Sequence, residues 1–372
     1  MKVVFLALWP SGSARYWSGT PHYSLAALRE IGLDVTPLEF PVLDPLLFHA
    51  GRITRRLRLD LLREPLVRRL YNALARRRLR RLRPDVVVSV GASHKLCDVE
   101  GEFALIHAAD ALFATIIESY GNMARLSERS KRLGDRIQGD FLARVDTLCL
   151  SSDWAVDSAR RHYDLSHCSV RMLPLGANLP VDPGYDAPAR AANTVLSLLF
   201  VGGDWVRKGG PLLLQAFARI RAEVPDAVLH VVGCDPAEAA GVEGVQLHGF
   251  LDKAEPAQRA RLDRLYRESA VLVVPSRQEA FGIVFCEACA YGLPPVGTRT
   301  GGIPSILSDG ESGVLIDPEA GAEVWAARIL ALWRDRDAYL EMCATARRHY
   351  EERLNWSAWA RAIRDEAARL TR

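Results

Sequence analysis

The sequence predicts an α/β protein with two doubly wound parallel-sheet domains, and three observations predict it. At 372 residues the chain is roughly twice the ~150 residues of a typical domain. Short β-branched runs at 2–8, 85–90, 103–107 and 147–151 alternate with amphipathic or polar stretches, the order expected of a parallel sheet covered by helices. The alternation then restarts after Asn193, with runs at 194–201, 227–232, 245–248, 270–275, 295–297 and 314–317.

Between the two series lies a stretch in which Pro180, Pro183, Pro188 and Gly184 suppress regular structure. The expected division is a first domain over 1–177, a linker over 178–193 and a second domain over 194–372, the last helix being a candidate to pack back on the first domain. Open α/β sheets bind ligands at the carboxyl ends of their strands, so a cleft between the two domains is the expected site.

Composition narrows the class. The chain is 49% hydrophobic and 25% charged, ordinary for a globular protein, and no segment approaches the ~18 uninterrupted apolar residues of a membrane span. The opening apolar run, Val3 to Leu8, stops at Trp9-Pro10 without a small-residue cleavage pattern and reads as a buried strand. Seven scattered cysteines lack the spacing of a disulfide framework, which points to a cytoplasmic protein. Cys286 and Cys289 form a C-x-x-C inside an apolar helical stretch, with neither a second pair nor a histidine; helix packing is expected there, not metal.

Two loops carry the chemistry. The run ending at Val201 leads into Gly202-Gly203-Asp204-Trp205-Val206-Arg207-Lys208-Gly209-Gly210 and then a helix. Glycines let backbone approach a ligand, and adjacent cations at a helix start offer charge to a diphosphate. The loop is neither a Walker loop nor a G-x-G-x-x-G fingerprint; its plain alternative is a glycine-rich turn with two solvated charges. The run ending at Pro275 leads into Ser276-Arg277-Gln278-Glu279-Ala280-Phe281-Gly282-Ile283. A helix beginning near Phe281 or Gly282 would leave the N–H groups of Phe281, Gly282 and Ile283 free for a ligand oxygen. Glu287 lies further along it among Phe285, Cys286, Ala288 and Cys289, where an acid needs a partner and could accept the hydroxyls of a ribose.

Glu279 and Glu287, separated by seven intervening residues and followed by Gly301-Gly302-Ile303-Pro304 and Ser312-Gly313-Val314-Leu315, resemble the motif of the retaining nucleotide-sugar glycosyltransferases of the GT-B fold, family four. The resemblance spans nearly the whole chain and implies two Rossmann-like domains facing a cleft. It implies that Arg207 and Lys208 neutralise a donor diphosphate cradled by Gly202 and Gly203. It also implies that Glu287 holds the ribose, and that Glu279 with the Phe281, Gly282 and Ile283 backbone orients the sugar. Transfer in such enzymes retains the anomeric configuration, the leaving phosphate helping to deprotonate the acceptor, with no metal and no cofactor beyond a UDP- or GDP-sugar co-substrate.

In the first domain the segment Leu105 to Phe113 resembles the strand end whose His or Asp contacts the sugar, so either His107 or Asp110 fills that role. The plain readings are a loop histidine and a helix N-cap. Ser18, Gly19, Thr20 and His22 resemble the acceptor-side loop, with only Gly19 where the family often has paired glycines. Ser305 departs from the Glu that often follows Gly-Gly-Ile-Pro. Asp335-Arg336-Asp337 falls at a helix boundary, not at a metal site.

Residues 52–83 hold thirteen arginines against Asp60 and Glu64. From Pro65 the pattern predicts a basic amphipathic helix with Val67, Tyr71, Leu74, Leu79 and Leu82 on its apolar face. A solvated cationic face is the plain reading; docking of Arg52–Arg83 on anionic lipid is the functional one, and nucleic acid is disfavoured for want of interleaved aromatics. The expected acceptor is a glycan, a lipid-linked molecule or a small molecule. The alternatives in function are an epimerase or phosphorylase of the same fold, or a nucleotide-sugar-binding protein without catalysis.

Overall fold

A computed structural model describes residues 1–14 and 16–372. Its contacts divide the chain into two units, Met1–Asn178 with Trp356–Arg372, and Leu179–Asn355.

The first unit holds six parallel strands: β1 (Lys2–Ala7), β2 (Asp34–Pro37), β3 (Val86–Val90), β4 (Ala104–Ala109), β5 (Thr147–Leu150) and β6 (Ser169–Met172). Their order is β2-β1-β3-β4-β5-β6. Every residue of β3 is buried, as befits a central strand covered by helices on both faces. The sequence runs did not mark β2 and β6; both are four-residue edge strands, half exposed, so burial writes little apolar pattern into them. The closing helix Trp356–Leu370 packs against the helix Thr20–Glu30 of this unit.

The second unit repeats the architecture with β7 (Ser197–Val201), β8 (Val228–Val232), β9 (Val245–Leu247), β10 (Val271–Val274), β11 (Pro295–Thr298) and β12 (Val314–Ile316). The order is β12-β11-β10-β7-β8-β9, again all parallel. From β7 the chain winds outward through β8 and β9, then crosses to β10 and winds the other way. The strand order therefore reverses between β7 and β10, and loops leaving the carboxyl ends of two such strands diverge to open a crevice.

The arginine-rich helix spans Pro65–Leu82, with Pro65 in its first turn and Arg83 capping it in the left-handed conformation. Its inward face departs from the expected one at Leu74 alone, since Tyr71 and Leu79 lie in the core and Val67 and Leu82 pack against it, partly buried. Tyr71, Asn72, Ala75 and Leu79 are buried, whereas Leu74 points outward with Leu66 and Leu70. The core prefers the short Asn72 and Ala75 here because a polar network lies beneath. Asn72 donates to the carbonyl of His94, and Tyr71 donates to Asp44 Oδ1 at 2.5 Å, which also accepts from the buried Lys95 ammonium at 2.9 Å.

Candidate functional site

The loop after β7 and the loop after β10 meet at the strand-order reversal of the second unit. They are joined through backbone, the Arg277 N–H donating to the Arg207 carbonyl at 2.8 Å. Asp204 shapes the first loop by accepting from the Arg207 N–H at 3.1 Å, and the Arg207 guanidinium donates to the Gln278 carbonyl at 2.9 Å. The Lys208 ammonium, nearly buried, forms an ion pair with Glu279 Oε2, which also accepts from Ser276 Oγ at 3.3 Å. Arg207, Lys208 and Glu279 are thus together.

Glycine permits this closeness. A Cβ on Gly209, where φ is +77°, would lie 1.8 Å from the Pro275 carbonyl oxygen, and one on Gly301, at φ +53°, 1.7 Å from that of Glu279. No other residue fits either place. Gly202 lies at the end of β7, its N–H donating to the Val232 carbonyl, and Gly203 is exposed beside it.

Gly282, at φ +105°, caps the helix Ile283–Ala290. The helix begins at Ile283, two residues past Phe281, whose side chain is buried. Glu287, on this helix, is 4% exposed. Its need for a partner is met twice: the Lys253 ammonium bonds Oε1 at 2.5 Å, and the Tyr266 hydroxyl donates to Oε2 at 2.8 Å. Neither Lys253 nor Tyr266 stood out in the sequence. One signal was present for Lys253, which is among only five lysines in the chain and follows a strand end; Tyr266 sits in the helix Pro256–Glu268 with no local mark. Cys286 and Cys289 on the same helix are fully buried free thiols, pushed up in pKa by burial. Among the described residues no group of three or more His, Cys, Asp or Glu could hold a metal ion. Asp335 caps the helix Arg336–Glu352, accepting from the Ala338 N–H.

In the first unit the strand order reverses between β1 and β3. The loop after β1 contains successive positive φ values at Trp17 (46°), Ser18 (54°) and Gly19 (93°), a strained run for which Trp and Ser are poorly suited. Trp17 Nε1 donates to Asp110 Oδ2 at 3.2 Å, bringing Asp110 to the Ser18 loop. Thr20 is buried at the helix start and His22 donates to the Ser11 carbonyl at 3.1 Å. His107 does not join them. It lies inside β4, 1% exposed, against Ser89 Oγ at 3.1 Å and the edge of Phe141, and burial pushes its pKa down to about 4. The outward position at this strand end is Asp110.

Two Rossmann-like units, each with its strands in doubly wound order, make up the GT-B fold of glycosyltransferases. Sucrose-phosphate synthase from Thermosynechococcus elongatus superposes with a TM-score of 0.71 at 18% identity, covering 100% of this chain and 99% of its own. The Anabaena protein HepE, solved in complex with UDP and glucose, gives 0.62 at 13% identity, with 99% of each chain covered. Residues 196–335 match the model of the family described as "Glycosyl transferases group 1". A D-inositol 3-phosphate glycosyltransferase of Corynebacterium jeikeium (strain K411) is 30% identical over 279 residues, 69% of this chain and 65% of that protein, so the match spans just under two thirds of the relative's length.

Proposed function

We propose that this protein transfers a sugar from a nucleoside-diphosphate donor, a UDP- or GDP-sugar, to a hydroxyl of an acceptor with retention of configuration and without a metal. The observation that carries the reading is the Lys208–Glu279 ion pair beside Arg207 at the strand-order reversal. In the free protein the two charges satisfy each other. An arriving diphosphate takes the Lys208 ammonium, and Glu279 is then released to accept a hydroxyl of the transferred sugar. As the bond between the anomeric carbon and the phosphate oxygen breaks and the bond to the acceptor oxygen forms, the acceptor proton passes to the departing phosphate. Arg207 and Lys208 stabilise the charge that develops there. Glu287 accepts from the ribose, and Asp110 with the Ser18 loop serves the acceptor side. The relatives' name makes a phosphorylated cyclitol the first acceptor to try, beside lipid-linked and glycan acceptors.

The test is transfer from UDP- and GDP-sugars, with the anomer of the product read by NMR. Lys208→Ala should lower kcat by about a hundredfold or more, as loss of a preorganised charge at the leaving group does, with the melting temperature retained. Undiminished turnover, or an inverted product, would overturn the reading. Epimerisation or phosphorolysis would show as product formed without any acceptor.

A second element of the proposal is a lipid-facing surface on the cytoplasmic side of a membrane. The helices Leu43–Arg56 and Pro65–Leu82 expose Leu46, Ile53, Leu66, Leu70 and Leu74, and beside them Arg55, Arg56, Arg69, Arg77, Arg80 and Arg81 are also exposed. Exposed apolar residues interspersed with cations along these helices suit an anionic headgroup layer.

A further inference from the structure

The Glu287 carboxylate is held by two neighbours, Lys253 on one oxygen and Tyr266 on the other, and the contribution of Tyr266 can be separated from the rest. Tyr266 is fully buried, and its hydroxyl donates to Oε2. The ring stacks on Tyr291 with centroids 5.0 Å apart and planes 4° from parallel. Tyr291 in turn donates to Asp263 Oδ1 at 2.9 Å, and Asp263 is paired with Arg267. The backbone is fixed too: the buried Arg190 guanidinium donates to the carbonyls of Tyr266 at 2.7 Å, Tyr291 at 3.1 Å and Ser269. The other carboxylate oxygen, Oε1, faces Lys253, whose side chain is a quarter exposed. One oxygen is therefore anchored from the core and the other is held by a partner at the solvent side, which can move.

We infer that Tyr266 is a positioning residue that fixes the Glu287 carboxylate so that Oε1, once Lys253 yields it, recognises an intact ribose. The inference rests on the proposed role of Glu287. For Oε1 to accept from a vicinal pair of hydroxyls the carboxylate must be held at one rotation about its Cγ–Cδ bond; Tyr266, bonded to Oε2, sets that rotation, because a hydrogen bond to a charged group is stronger and more directional than one to a neutral group. Without the hydroxyl the carboxylate can rotate toward Lys253, and the 2′-hydroxyl loses its matched acceptor. Phe at this place keeps the stacked ring and the Arg190 contacts, which are to backbone.

The experiment measures dissociation constants by calorimetry for UDP against 2′-deoxy-UDP, and for GDP against 2′-deoxy-GDP, on the full chain and on Glu287→Ala and Tyr266→Phe. A site that hydrogen-bonds a hydroxyl rejects the analogue lacking it, so the wild type should prefer the ribonucleotide roughly tenfold or more. Glu287→Ala should bring that ratio close to one. Tyr266→Phe should lower it at least threefold, with the melting temperature within a few degrees and with KM for the donor raised more than kcat is lowered, on the order of the loss of one hydrogen bond. A ratio untouched by Tyr266→Phe but lost in Glu287→Ala would overturn the inference alone. A ratio untouched by Glu287→Ala would overturn the ribose reading and this inference with it. If Tyr266→Phe does not fold, Tyr291→Phe, which loosens the stack by freeing Asp263, must lower the ratio in the same direction, and an unchanged ratio there overturns the inference.

Discussion

Gly301 and Gly310 both hold left-handed backbone, at φ +53° and +80°, yet they differ in what surrounds them. A Cβ on Gly310 meets nothing within 4 Å, whereas one on Gly301 would sit 1.7 Å from the Glu279 carbonyl oxygen. Ala at Gly310 should cost only the left-handed conformation, about 1 kcal/mol. Ala at Gly301 must also push back the backbone that carries Glu279, so its cost should exceed 2 kcal/mol, and donor binding should weaken with it. Urea unfolding of the two variants checks the first statement and nucleotide titration the second; equal costs would show that the Glu279 loop yields freely. The spacing of Gly301-Gly302 from Glu279 was legible in the sequence, but the atom it must avoid was not, since that contact joins the loops after β10 and β11. The same limit explains His107 and Lys253. Residue type and strand position mark a histidine near a strand end, but whether its ring turns to core or to solvent depends on where the strand stops. Here β4 runs on to Ala109, two residues past His107.

Element by element, what the sequence revealed tracks how much of each element is buried. All six strands of the second unit lie where apolar runs placed them, the inner ones because a sheet covered on both faces writes its pattern without interruption, and the half-exposed edge strand β9 through its short Val-Gln-Leu run. The helix Pro65–Leu82 was legible in its start, its charge and most of its inward face, and misread at Leu74. Leu66, Leu70 and Leu74 recur every four residues and are exposed, while the inward stripe is Tyr71, Ala75 and Leu79. Two leucine-bearing stripes compete in this helix, and hydrophobicity alone does not choose between them; the pairing of Tyr71 with Asp44 does. The outward stripe tests the lipid surface cleanly. Replacing Leu66, Leu70 and Leu74 together by Gln should leave the unfolding midpoint almost unchanged, since exposed positions contribute within about 0.5 kcal/mol each. Co-sedimentation with phosphatidylglycerol vesicles should fall severalfold, and binding by the wild type should weaken as salt is raised. Equal binding to neutral phosphatidylcholine vesicles would remove the surface from consideration.

Across the molecule, buried neutral histidines tie stability to pH in both units. In the first unit His107 is held to about 4 by burial, and His94 is held well below its ordinary value by burial and by the charges of Arg63 and Lys95. In the second unit His230 lies at about 4, through burial and the facing His248, whose Nε2 is 3.1 Å away and whose own ring meets Arg261. Each of these folded-state values lies below the unfolded value of 6.5. Between the two the unfolded chain binds more protons than the native one, so stability is full above pH 6.5 and declines as pH falls toward 4. For His107 alone the decline over the whole window is up to about 3 kcal/mol. Asp182, held below its usual value by Arg347, loses its contribution only as pH drops below 3.8, outside this window. Urea midpoints measured from pH 7.5 to 4.5 should therefore fall steadily. His107→Gln, which cannot titrate, should be less stable at pH 7.5 yet show a shallower slope against pH, and an identical slope would mean that His107 takes up its proton without unfolding the strand that buries it.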